Sequence, residues 1–82
     1  MKSPSAAPRR KKFGPLGAIE FPAPAGAPTI VFFHGYGANG ADLAPLAHEL
    51  ALSRPARWIF PDAPLTLDFG GLAWFEIDVA AI

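Results

Sequence analysis

TIVFFHGYGANG, residues 29–40, is the stretch from which the fold class follows. Thr29-Ile30-Val31-Phe32-Phe33 is β-branched and aromatic with no polar face, the composition of a strand. A strand apolar on both sides belongs in a sheet covered on both faces, which favours a parallel α/β arrangement. The glycine-rich turn that follows lies at the strand's carboxyl end, where open α/β sheets bind ligands.

Downstream, Asp42 is expected as a helix N-cap, with Pro45 tolerated in the first turn. Leu43, Leu46, Ala47 and Leu50 recur at helical spacing and form one apolar face, and Pro55 closes the helix near Arg54. Arg57-Trp58-Ile59-Phe60 reads as a second buried strand, ended by Pro61-Asp62-Ala63-Pro64. Strand, loop, helix and strand make one right-handed βαβ unit. The remainder, LTLDFGGLAWFEIDVAAI, reads as an irregular loop hinged at Gly70-Gly71. Upstream, residues 16–21 are a short strand that Pro22–Pro28 would join to the next as an antiparallel pair.

The formal net charge of zero conceals an asymmetry. Lys2, Arg9, Arg10, Lys11 and Lys12 hold five of the seven basic charges. Only Arg54 and Arg57 lie beyond them, against all seven acidic residues, so residues 13–82 carry −5. Such a body is ill suited to a phosphate backbone, so no nucleic-acid partner is expected. Residues 1–12 read as a basic, flexible, solvated tail, and 13–82 as the domain. No Cys is present, which excludes disulfides and thiolate metal sites. Neither a secretory signal nor a membrane span is recognisable, so a cytoplasmic protein is the expectation.

Three segments in order, TIVFFHGYGANG, WIFPDAP and AWFEID, resemble the phospholipase/carboxylesterase family of serine hydrolases, which includes the acyl-protein thioesterases. The resemblance runs from about Thr29 to Asp78. It implies an α/β-hydrolase fold, a mostly parallel sheet flanked by helices on both faces. It implies carboxylic-ester or thioester hydrolysis without a cofactor, on a small-molecule or lipid acyl ester. It assigns the Tyr36 N–H as an oxyanion-hole donor, with His34, Gly35 and Gly37 shaping the loop and His34 not the catalytic base. An oxyanion hole brings main-chain N–H groups within about 3 Å of the developing charge, and side chains at Gly35 and Gly37 would obstruct that approach. Trp74 and Phe75 match aromatics of the acyl pocket, and Asp62 a loop at its rim.

The family nucleophile sits in a G-x-S-x-G elbow, followed by Asp and then His. Here the serines are Ser3, Ser5 and Ser53 alone, and none lies in such an elbow. Nucleophile, acid and base are therefore absent. The 82 residues are expected to be the first third of a domain of roughly 200–250 residues, catalytically silent alone.

Other readings compete. Gly35, Gly37 and Gly40 satisfy G-x-G-x-x-G, and Asp62 stands where a ribose-binding acid would, as in a dinucleotide-binding turn. Against this, the helix is expected to start beyond the glycines, and Pro61 separates Asp62 from its strand. A non-catalytic binding remnant is another possibility. His48-Glu49 lacks the second His of a zinc helix, since position 52 is Leu52. Asp68, Glu76 and Asp78 lack ordered ligand spacing, so no metal is expected.

Overall fold

The computed structural model describes residues 7–50 and 55–75. Its elements in chain order are β1 (Arg9–Phe13), β2 (Leu16–Phe21), β3 (Thr29–Val31), α1 (Gly40–Leu43), α2 (Leu46–Glu49), β4 (Arg57–Pro61), β5 (Leu65–Thr66) and β6 (Leu72–Ala73). The first four strands form one sheet in the order β1-β2-β4-β3, and β5 and β6 form a small hairpin.

The expected βαβ unit is present. β3 and β4 pair in parallel, with Ile30 opposite Trp58, and both helices lie between them in the chain. The rest of the sheet departs from a mostly parallel arrangement, because β2 runs antiparallel to both β1 and β4. The proposed pairing of β2 with β3 is also overturned: β4 lies between them. β4 therefore has neighbours on both sides, and β3 is one edge of the sheet, with β1 the other.

One sheet face carries the core. Side chains alternate along a strand, so Ile19 and Phe21 of β2 share a face with Trp58 and Phe60 of β4 and with Ile30 and Phe32. Leu43, Ala44, Leu46 and Ala47 of the helical segment pack onto it. Phe32, Trp58 and Phe60 stack with centroids 5.9 to 6.3 Å apart, and Phe21 meets Phe60 edge-on. Both described helices lie on this face. The opposite face, expected to be covered too, leaves Val31 43% exposed.

The single expected helix is broken in two. Its N-cap is Asn39, whose side chain accepts from the Asp42 N–H, while the Asp42 carboxylate accepts from the Asn39 N–H. Asp42 is thus the far half of a capping box rather than the cap. Starting at Gly40, the helix meets Pro45 past its first turn, where the missing N–H ends α1 and a new turn begins at Leu46. Leu43, Leu46 and Ala47 face the core as expected, but Leu50 is exposed. His48 is exposed on α2, its ring edge-on to Phe21. Residues 51–54 and 76–82, with Ser53, Arg54, Glu76 and Asp78, lie outside the described residues, as do Ser3 and Ser5.

The basic segment expected as a tail forms β1 from Arg9 onward. Gly14-Pro15 makes a two-residue turn, so that Phe13 faces Leu16 and Arg9 faces Glu20. What holds so charged a strand is ion pairing on both faces. Arg9 and Lys11 point to one side, where the Glu20 carboxylate, 1% exposed, binds Arg9 at 2.8 Å, binds Arg57, and has Lys11 at 4.0 Å. Arg10 points to the other side and reaches Asp62 at 2.6 Å. Burial pushes the Glu20 carboxyl up, but Arg9 and Arg57 outweigh it and hold the group below its ordinary 4.5. No helix among the described residues is long and apolar enough to cross a membrane.

A carboxyl lowered in the folded state stabilises the fold above its ordinary value, and that stabilisation disappears as pH falls through the lowered one. Urea unfolding midpoints should therefore drop on acidification below 4.5. Glu20→Gln should cost about 1–3 kcal/mol at neutral pH, less than a fully enclosed pair because Arg9 and Lys11 are half exposed. It should also flatten the acid limb; an unchanged limb would refute this role for Glu20.

Candidate oxyanion loop at the carboxyl edge of the sheet

β3 delivers His34 to the sheet edge, and the loop from Gly35 to Asn39 turns into α1. Ala38 N–H donates to the Gly35 carbonyl at 3.1 Å, closing a four-residue turn. Gly37 holds φ at 85°, a left-handed conformation that side-chain-bearing residues rarely adopt. The loop is then zipped to β6: Gly37 N–H donates to Leu72 O at 2.8 Å, and Leu72 N–H to Ala38 O at 2.9 Å. That close approach requires Gly71, because a Cβ there would run into the Gly37 backbone.

His34 is 3% exposed and joins all three motif segments. Its Nε2 accepts from the Ala63 N–H at 3.0 Å, so the proton resides on Nδ1, which lies 2.8 Å from the Gly35 carbonyl. Its own carbonyl accepts from Trp74 Nε1–H at 2.9 Å, and the two rings lie 5.1 Å apart. Both ring nitrogens are engaged in holding the loop, which suits a shaping role and leaves neither free for proton transfer.

With Gly37 and Ala38 N–H groups committed, none of the hydrogen bonds among the described residues is donated by the Tyr36 N–H. Around it stand exposed aromatics. Tyr36 is 46% exposed, with its ring 6.3 Å from that of Phe69, and Phe33 packs edge-on to Trp74 at 5.3 Å. Phe75 is also exposed but makes no ring contact among the described residues. Trp74 is thus tied to the loop, whereas Phe75 is only its neighbour. Gly35 has open space where a Cβ would point, so this chain's own packing does not demand a glycine there.

Asp62 serves the loop from beneath. Its Oδ1 accepts from the Gly40 N–H at 2.7 Å, Oδ2 accepts from Arg10, and its own N–H donates to the Gly17 carbonyl. Burial pushes this carboxyl up, but the Gly40 N–H and then Arg10 prevail and hold it below its ordinary 3.8. The dinucleotide reading must be revised on both counts: Pro61 belongs to β4, so Asp62 follows its strand directly. The helix does begin inside the glycine motif, at Gly40, contrary to expectation. Yet the Gly40 amide that would face a pyrophosphate is occupied by Asp62, which is itself paired to Arg10 rather than free for a ribose. Asp68 is exposed, and no cluster of three potential metal ligands occurs among the described residues.

Sequence reasoning missed Glu20, the link from Arg10 to Asp62, and the Trp74–His34 bond. It also read residues 65–73 as irregular, where β5 and β6 pair across a turn containing Gly70 and Gly71, both at positive φ.

Gly71→Ala should cost more than about 1 kcal/mol, since it combines a disfavoured φ with a backbone collision. Amide exchange at Gly37 and Leu72 should quicken. Trp74→Phe should cost about 1 kcal/mol by deleting one hydrogen bond. Exchange rates equal to wild type in both variants would show that the loop is held by other contacts.

Neither the curated proteins nor the solved structures searched gave a match to this chain. A family model described as phospholipase/carboxylesterase matches residues 16–81. That span covers all three motif segments meeting at His34, and on it the chain belongs to the phospholipase/carboxylesterase family, with the α/β-hydrolase fold which that membership implies.

Proposed function

We propose that these residues are the opening section of a serine hydrolase acting on carboxylic esters or thioesters, and that the Tyr36 N–H is one donor of its oxyanion hole. The observation that carries this reading is the contrast along the loop. Downstream in the loop the Gly37 N–H is bonded to Leu72 and the Ala38 N–H to Gly35, while the Tyr36 N–H, like that of Gly35, donates to nothing among the described residues. A donor in a loop pinned by its neighbours' bonds, and with no acceptor of its own, needs no bond broken when negative charge develops on a carbonyl oxygen. The exposed rings of Phe33, Tyr36, Phe69 and Phe75 give an acyl chain an apolar surface, supporting a small-molecule or lipid acyl ester as substrate.

The implied chemistry is acyl transfer. A serine hydroxyl attacks the carbonyl as a histidine takes its proton, an acyl-enzyme forms, and water releases the acid. The serine would come from a G-x-S-x-G segment, with Asp and His after it, and these 82 residues include none of the three. The 82-residue chain by itself is accordingly inactive on this proposal. The exposed edge of β3 and the open sheet face beside it leave room for further structure to pair and cover them.

Reading the coding region past Ile82 tests the parentage. Continuation into G-x-S-x-G, then Asp and His, is expected; a stop codon would make the chain a non-catalytic module. In the extended protein, Tyr36→Pro removes the N–H and should lower kcat by about 10²–10³. Tyr36→Phe keeps the N–H and should retain kcat. Equal activity in both variants would remove Tyr36 from the oxyanion hole.

A further inference from the structure

A second polar site lies at the opposite end of the sheet from the His34 loop. Thr29 and Arg57 open the parallel strands β3 and β4, whereas His34 and Asp62 follow their ends. At this opening end a cleft of about 480 Å³ lies between β1, the start of β4 and the Pro22–Ala27 loop. Arg9, Lys11 and Arg57 line it around Glu20.

Cations and carboxylates do not balance in this cleft. Three cations face one carboxylate, leaving a surplus of two positive charges among the residues that line it. Arg9 binds Glu20 Oε1 through Nε and Nη2, and Arg57 binds Oε2 through Nε and Nη2. Each guanidinium carries five N–H donors, so each keeps donors beyond those spent on Glu20. The Lys11 ammonium, 4.0 Å from Glu20, is too far for a hydrogen bond to it. Glu20 therefore acts as a brace: it immobilises two guanidiniums before any ligand arrives, reducing the rotamer entropy lost on binding. The side chains are nonetheless within solvent reach, at 57% exposure for Arg9, 41% for Lys11 and 32% for Arg57.

We propose that this cleft binds a phosphoryl group, held by Arg9, Lys11 and Arg57. The surplus of two charges matches a phosphate dianion, and a planar guanidinium fork pairs well with two phosphate oxygens. The cleft is wide enough to admit a substituent beyond the phosphoryl group, with the Pro22–Ala27 loop as its apolar wall. Inorganic phosphate and a phosphate monoester share this chemistry. The site is remote from the His34 loop and does not depend on the hydrolase assignment.

Calorimetric titration of the full 82-residue chain with inorganic phosphate, and separately with glycerol phosphate, tests this at constant ionic strength near neutral pH. Saturable binding is expected. Equal affinity for both identifies free phosphate as sufficient, and tighter binding of the monoester shows that the apolar wall contributes. Lys11→Gln should weaken binding about tenfold, having removed one charge-assisted contact and left both Arg–Glu20 pairs in place. Lys12→Gln, on the other face of β1, should bind as wild type. Absence of saturable heat with both ligands would overturn the proposal, as would binding that Lys11→Gln leaves unchanged.

Discussion

The carboxyl edge of the sheet depends on one buried imidazole. His34 is enclosed, accepts from Ala63, sits against the Gly35 carbonyl, and offers its own carbonyl to Trp74. Each such bond contributes about 0.5–1.5 kcal/mol net, but leaving a buried nitrogen without its partner costs more. Through its ring and its carbonyl together, His34 thus penalises any arrangement in which the 58–64, 71–75 and 34–38 segments do not meet. Close contact between the Gly37 and Gly71 backbones completes the frame. The Tyr36 N–H is left without an acceptor among the described residues, and the proposed function starts from that fact.

Two carboxylates extend the constraint to the N-terminal strand. Glu20 is buried and Asp62 half-buried, which by itself disfavours their charge; Arg9 of β1 and Arg57 of β4 offset this at Glu20, and the Gly40 N–H and then Arg10 of β1 offset it at Asp62. Five-residue β1 has little apolar surface with which to anchor itself. Its alternating side chains instead send Arg9 and Lys11 to Glu20 and Arg10 to Asp62. Asp62 in turn caps Gly40, so the strand farthest from the loop is connected to the helix that leaves it.

Much of this was legible in the sequence where apolar patterning was strong. The strands at 16–21 and 57–60 and the parallel β3–β4 unit follow from β-branched and aromatic runs bounded by Pro and Gly. β1 was not legible in the same way, because RRKKF carries no apolar alternation; its signal was the Gly14-Pro15 turn between two short segments, with Arg9 and Glu20 set to pair across it. The helix boundary failed because Asn39 and Asp42 are both capping residues three apart, and composition alone does not say which is the cap and which the return partner. For the site, the glycine motif pointed to the right loop. The engagement of His34, by contrast, depends on contacts between segments 29 and 40 residues apart, which no local pattern encodes.

Family membership and geometry meet at the same few residues, and the decisive question is whether the Tyr36 N–H responds to negative charge. The direct measurement is the amide proton shift of Tyr36 in the protein that includes the serine elbow, before and after a boronic acid adds to that serine. The account predicts a large downfield shift at Tyr36, with Gly37 and Ala38 little changed because their N–H groups remain bonded to Leu72 and Gly35. An unmoved Tyr36 resonance, with the shift appearing at other amides, would contradict it.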